Sequence, residues 1–328
     1  MRHALLLPRR LAGHFAPALL FLLLAPAAAR AQDAAEWLAR AAQAARQMNY
    51  VGTIVYQIGP HVETSRLSHL FDNGVELEKL VSLDGPAREV VRTQNEVRYY
   101  YPDVKIIKIE PRTFRNAFPS LSQEQQRSLS QYYDFKLLGG ERVGGRAAQV
   151  VAFEPRDGLR YGHRFWADAA TGLLLKARVF NERGDVVEQF AFTDLTVNVK
   201  IDLALVQPSW PSPPSDWQTR QGSGGDVKQQ DTGWVVSRLP PGFAKVMEGY
   251  RKLRGKPEPV AHLVFSDGLV AISVFVEPLP PSVAVTGPAQ QGGLNIFSTR
   301  LDDHLITALG EAPGATVRQI ATSVVPRR

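Results

Sequence analysis

Residues His262 to Glu277 read HLVFSDGLVAISVFVE. The stretch sets a histidine, a serine and an aspartate within six residues, so it reads either as a hydrolase site or as a hairpin. Geometry separates the two. On an extended strand the Cα atoms of His262 and Ser266 lie on the order of 13 Å apart at roughly 3.3 Å per residue. A nucleophilic serine and its base need contact at roughly 2.6–3.2 Å. The stretch therefore predicts two strands about the turn Ser266-Asp267-Gly268, with glycine for positive φ and aspartate for a side-chain turn. Val270, Ile272, Val274 and Val276 form one face, and Leu269, Ala271 and Phe275 the other. Both faces are largely apolar, which predicts a central strand covered on both sides.

Outward from the hairpin the pattern stays mostly β. On its C-terminal side, NIFSTR (295–300) and HLITALGE (304–311) predict two more strands. A closing helix follows Pro313, with Val317, Ile320, Ala321 and Val324 on one face. On its N-terminal side, Gln207 to Asp231 carries PSWPSPPSD and then QGSGGD, the composition of an extended linker with a flexible end. Before that linker, about ten runs of period-two alternation follow one another, among them VGTIVYQI (51–58), VELEKLVSL (75–83), VRYYYP (97–102) and AAQVVAFEP (147–155). Short turns such as Asp72-Asn73-Gly74 join them, which predicts an antiparallel meander. One helix precedes it and a second interrupts it. One begins at Asp33, which can cap it with Glu36, and presents Trp37, Ala41, Ala44, Ala45 and Met48; the other spans SQEQQRSLSQYY (122–133).

The first 31 residues read as an export leader: a basic start, the apolar run ALLFLLLA (18–25) and Ala29-Arg30-Ala31 as a cleavage site. The expected divisions are thus a leader over 1–31, a β domain over 32–206, a linker over 207–231 and a second domain over 232–328. Removing the leader's four arginines leaves 34 basic against 32 acidic residues, so the positive balance of the whole chain belongs in part to the leader. A nearly neutral exported chain has no global electrostatic claim on nucleic acid. There are no cysteines, which excludes disulfides, thiolate nucleophiles and cysteine-bound metal.

The other chemical signals are weak. GERVGGRA (140–147) has the glycine spacing of a phosphate loop but lacks its lysine and hydroxyl residue. His61, His69, His163, His262 and His304 are scattered, without the spacing of a metal site, and no G-x-S-x-G elbow is present. No cofactor, metal or catalytic residue is expected. Tyr99, Tyr100 and Tyr101, with Arg112, Phe114, Arg115 and Phe118, place aromatics beside arginines, which suits an amphipathic ligand with an apolar body and an anionic head.

With these segments read, the chain resembles the MucB/RseB family of periplasmic regulators of the envelope-stress sigma factor. The runs that carry the resemblance are WLARAAQAARQMNYVGTIVY (37–56), SLDGPAREVVR (82–92), GWVVSRLPPGF (233–243), HLVFSDGLVAISVFVEP (262–278) and GEAPGATVRQIATSV (310–324). The resemblance implies an α+β fold, mostly antiparallel: a large unclosed barrel similar to the carriers LolA and LolB, followed by a smaller sheet with a helix. It also implies binding without catalysis. The partner would be the periplasmic segment of a transmembrane anti-sigma factor of the RseA/MucA type, shielded from proteolysis, with a lipopolysaccharide or lipoprotein-type ligand triggering release. The quoted hairpin would then belong to the partner-binding domain, with Trp234, Phe243, Phe265, Ser266, Asp267, Gly268 and Phe275 as candidate contacts. A lipid or lipoprotein carrier is the alternative reading and a secreted hydrolase the third. Self-association is left open.

Overall fold

Period-two alternation punctuated by tight turns builds the larger half of the molecule. The computed structural model describes residues 26–112, 128–212, 214–221, 228–253, 255–279 and 287–327. Eleven strands follow one another: β1 (Tyr50–Ile58), β2 (His61–Asp72), β3 (Val75–Ser82), β4 (Glu89–Arg92), β5 (Glu96–Tyr101), β6 (Ile106–Pro111), β7 (Tyr133–Val143), β8 (Arg146–Pro155), β9 (Gly162–Asp168), β10 (Leu174–Phe180) and β11 (Val186–Val197). They pair as two meanders, β1 to β6 and β7 to β11, joined through β1 and β11. At the β2–β3 turn Asn73 and Gly74 take φ of 49° and 82°, the two positive values that a type I′ hairpin requires. A twelfth strand, β12 (Gln218–Gln221), pairs with β6 and ends the sheet on that side, while β7 ends it on the other. The sheet is therefore unclosed.

Helix α1 (Pro26–Gln47) fills the curve of this sheet. Its small buried face, Ala34, Leu38, Ala41, Ala42 and Ala44, lets the helix approach the strands closely. Leu38 joins Tyr133, Phe135, Val151, Phe153 and Phe165 in one cluster, and Ala44 joins Tyr50, Leu67 and Phe192 in another. The helix starts at Pro26, so Asp33 lies inside it and is not its cap, contrary to the expectation from Asp33 and Glu36. The second expected helix, 122–133, lies mostly outside the described residues. Its described end, at Ser128 and Leu129, gives way to β7 at Tyr133.

The C-terminal part is a separate, smaller sheet of seven strands: β13 (Lys228–Gln229), β15 (Ala244–Arg251), β16 (Val260–Ser266), β17 (Ala271–Pro278), β18 (Gly287–Gln291), β19 (Leu294–Leu301) and β20 (His304–Gly310). Helix α2 (Gly314–Ala321) packs on it, and β14 (Trp234–Val236) pairs with β21 (Val324–Pro326). The quoted hairpin is β16–β17, and β17 is central, between β16 and β20. Ile272, Val274 and Val276 are buried with Leu263, Phe265, Ile306 and Ala308 beneath Val317, Ile320 and Ala321 of α2. Each such aliphatic contributes about 1.5–3 kcal/mol by leaving water. The opposite face of β17, with Ala271 exposed and Ser273 and Phe275 half-buried, is not fully covered, so the double covering expected from the apolar pattern holds on one face only.

The segment expected as an extended linker is docked along its first half. Trp210 lies 6.2 Å from the Tyr100 ring and 5.3 Å from Trp217, over the buried Val91 and Ile107. Ser209 bonds through its backbone N–H and hydroxyl to Glu89, and Lys79, paired with Glu89 at 3.0 Å, donates to the Gln207 carbonyl. A buried ion pair is stable only when its remaining valences are met in this way.

Candidate functional site

The turn at the centre of the quoted hairpin faces the N-terminal sheet of the same chain. Asp267 Oδ1 accepts the N–H groups of Leu269 and Val270, each at 3.0 Å, and so closes the turn. Its other oxygen, Oδ2, accepts the Tyr133 hydroxyl at 2.9 Å and Arg160 Nη1 at 3.0 Å. Arg160 also donates to the Pro241 carbonyl and reaches Asp157 at 3.3 Å. Its guanidinium lies 4.5 Å from the Tyr132 ring centroid and 5.3 Å from that of Phe243. The Arg160 and Asp267 side chains are fully buried. Burial first, and the Asp267 carboxylate second, push the Tyr133 phenol well above its ordinary range, so Tyr133 stays a donor.

The surrounding backbone is shaped for this contact. Gly242 has φ of 83°, and a Cβ there would come within 2.5 Å of the Tyr132 ring. Further along the junction, Asn295 donates to the Tyr161 hydroxyl at 2.8 Å and Thr316 donates to the Leu159 carbonyl at 2.9 Å. His163 stacks on Phe165 beside Tyr133, and burial pulls its pKa down to about 4.

The junction thus gathers Phe243, Ser266, Asp267 and Gly268 from the expected partner-contact set, with Phe265 in the core directly beneath. Their contacts are with residues of this chain. Phe265 is 2 % exposed, and Ser266 accepts the Gly268 N–H. Trp234, edge-on to His304, and Phe275, stacked on His262, lie elsewhere on the C-terminal sheet and are half-buried. Sequence reading missed Arg160, Tyr132 and Tyr133, because nothing local marks a residue whose partner is more than a hundred positions away.

A second arrangement lies on the inner face of the large sheet. Strand register sets Leu67 opposite Leu80, Leu80 opposite Val90, Val90 opposite Tyr99 and Tyr101 opposite Ile106, all on one face. Ile54, Leu67 and Leu80 meet Ala44 and Met48 of α1 at one end of this strip. Ion pairs flank it: Arg88–Glu63 at 2.6 Å on one side, Arg92–Glu78 at 2.6 Å and Arg112–Glu76 at 2.9 Å on the other. The bonds from His69 and then Arg112 hold the Glu76 carboxyl below its ordinary range. An apolar strip between charged rims can take an amphipathic ligand.

Of the expected lipid-contact residues, Tyr99 and Tyr101 line this strip and Arg112 stands at its rim. Tyr100 points the other way, 1 % exposed under Trp210, because alternate residues of a strand face opposite sides. Phe114, Arg115 and Phe118 lie outside the described residues. Among the described residues no cluster of histidine and carboxylate side chains could hold a metal ion, and no helix is long and apolar enough to cross a membrane.

Two family models match the chain in order: the MucB/RseB N-terminal domain over residues 33–210 and the MucB/RseB C-terminal domain over residues 228–325. The chain is 33% identical over 318 residues to the sigma factor AlgU regulatory protein MucB of Pseudomonas aeruginosa, covering 93% of this chain and 94% of that protein. It is 29% identical over 283 residues to the sigma-E factor regulatory protein RseB of Escherichia coli K12, covering 86% and 87%. Among solved structures, a MucB in complex with MucA(peri) matches with a TM-score of 0.71 at 32% identity, covering 90% of this chain and 100% of that one. The Pseudomonas aeruginosa MucA/MucB complex matches with a TM-score of 0.70 at 31% identity, covering 90% and 99%.

Proposed function

The chain belongs to the MucB/RseB family, and from that membership we propose that it is a periplasmic negative regulator of an envelope-stress sigma factor. It binds the periplasmic segment of a transmembrane anti-sigma factor and shelters that segment from the protease that begins its degradation. The observation that carries this reading is the likeness, across 90% of the chain and both sheets, to a MucB crystallised with MucA(peri). Trp234 and Phe275, the half-buried aromatics of the C-terminal sheet, are the candidate contacts for that segment.

Release follows when an amphipathic ligand, lipopolysaccharide or a lipoprotein-type product, occupies the strip formed by Leu67, Leu80, Val90, Tyr99 and Tyr101. The acyl chains lie on the strip, and the anionic head meets Arg88, Arg92 or Arg112 at the rims. A ligand shifts the regulator between free and bound states only by its differential affinity for them, so the strip and the partner surface must be coupled through the domain junction. A domain boundary within residues 207–231 and removal of the leader near Ala31 complete the proposal.

A pull-down tests it. Tagged chain from residue 32 onward is incubated with detergent-solubilised envelope and the bound proteins are identified by mass spectrometry. Recovery of a single-span anti-sigma factor that added lipopolysaccharide displaces is the expected result. Recovery of lipoproteins without an anti-sigma factor would replace the regulator with a carrier.

A further inference from the structure

Strand β12 differs from every other strand among the described residues. It is the one that pairs in parallel, Gln218 to Gln221 against Ile106 to Ile109, at the edge of a sheet whose other pairs are antiparallel. All four of its side chains are exposed. Its attachment lies upstream, where Trp217 packs beside Trp210 and Tyr100, the exposed Asp216 pairs with Lys105 at 2.6 Å, and the Gln218 N–H reaches the Lys105 carbonyl at 2.9 Å. The strand itself is held by backbone hydrogen bonds that any extended peptide could make.

Its side chains are also poorly matched to what they lie beside. Residues paired across a ladder share a face, so Thr219 flanks Ile107 and Gln221 flanks Ile109. Those two isoleucines belong to the apolar cluster under Trp210 and Trp217. Two polar side chains thus stand where aliphatic ones would gain burial.

We propose that the β6 edge is an acceptor site for an extended polypeptide with aliphatic side chains at alternate positions, and that residues 218–221 are its intramolecular occupant. A segment that sets β-branched residues beside Ile107 and Ile109 displaces β12 by adding its own parallel strand, while Trp210 and Trp217 keep the upstream segment docked. The weakly held strand blunts an edge that would otherwise pair indiscriminately. The site requires no particular identity of the partner protein, so it stands or falls apart from the regulatory reading above.

The probe is a fluorescein-labelled ten-residue peptide with the core QVRV, with PVPV, which lacks the two N–H groups that face β6, as its control, titrated by fluorescence anisotropy into the full chain without its leader. Three forms are compared: the parent, Gln218→Pro/Arg220→Pro, which removes the two N–H groups that alternate toward β6, and Lys108→Cys/Arg220→Cys. The last joins a directly paired position in a chain that has no other cysteine. The expected result is binding of QVRV at least tenfold tighter to the proline variant than to the parent, no binding to the oxidised cysteine variant, restored binding after reduction, and none of PVPV. Equal binding to the oxidised and reduced forms, or no gain in the proline variant with its near-ultraviolet circular dichroism unchanged, would overturn the proposal.

Discussion

Arg160, in the loop between β8 and β9, and Asp267, in the turn between β16 and β17, lie 107 positions apart and meet at 3.0 Å with both side chains fully buried. The carboxylate serves two structures at once. Through Oδ1 it closes the hairpin turn, and through Oδ2 it anchors Arg160 and Tyr133 of the larger sheet. Any change that releases Asp267 therefore loosens the turn and the junction together, so the orientation of the two sheets is coupled to the conformation of one short loop.

Arg160→Ala leaves a buried carboxylate without its cation and is expected to destabilise the chain by about 3–5 kcal/mol. Asp267→Ala alone has a comparable effect. The double variant loses less than the sum, because neither charge is then buried without its partner. Chemical denaturation of the three variants measures this, and additive losses would mean that the two residues act separately.

Gly242→Ala adds a side chain where φ is positive and the Tyr132 ring is already in contact. Gly184, with φ of 81° and open space around it, is the control. The control should lose about 1–2 kcal/mol from backbone conformation alone, and Gly242→Ala a further 1–3 kcal/mol or so from overpacking. Melting temperatures of the two variants give the comparison.

His163 is neutral in the folded chain down to about pH 4, against an ordinary value of 6.5. The unfolded chain thus binds the extra proton between those values, and stability falls as the pH is lowered from about 6.5 to 4. His163→Phe removes this contribution, so its stability relative to the parent should rise on acidification across that window. Glu248 acts lower. Burial pushes its carboxyl up, but bonds from Lys245 and Thr232 outweigh that and hold it at about 2. Its contribution is complete above about 4.5 and is lost toward 2. Urea titrations at pH 7, 5.5, 4 and 2.5 separate the two ranges.

Tyr101→Asp places a charge at the end of the apolar strip. Desolvating a carboxylate against acyl chains is costly, so lipopolysaccharide should need at least a tenfold higher concentration to displace the partner segment, with partner affinity in its absence unchanged. Competition anisotropy measures both quantities.

Limited proteolysis with a broad-specificity protease should cut first between Gln221 and Asp231, where the sequence is rich in glycine and serine. Gln207 to Trp217 should resist while Trp210 and Trp217 stay docked on Tyr100. Trp217→Ala is expected to spread the cuts into that stretch. Bound partner segment should suppress cutting in 221–231 if the two sheets clamp it.

Local signals carried most of the fold. Alternation and turns such as Asp72-Asn73-Gly74 placed the strands, because both are set by neighbours in the chain. The docked stretch at Ser209, Trp210 and Trp217 read as a free linker, since proline-rich composition says nothing of a complementary surface built from Glu89, Lys79 and Tyr100 far upstream. The site was legible in part for the same reason. Asp267 stood out as a turn residue, but its second function depends on Arg160 and Tyr133, which no spacing connects to it. Tyr99, Tyr100 and Tyr101 were read as one group, whereas strand geometry sends the middle one to the opposite face.

The central claim is that this chain shelters an anti-sigma segment, and its most direct test is the cleavage rate of that segment. The periplasmic part of the transmembrane anti-sigma factor from the same cell is incubated with its initiating protease, with and without equimolar chain, and intact substrate is followed over time. At least a tenfold slower cleavage in the presence of the chain, reversed by lipopolysaccharide, is the predicted result. An unchanged rate at saturating chain would contradict it.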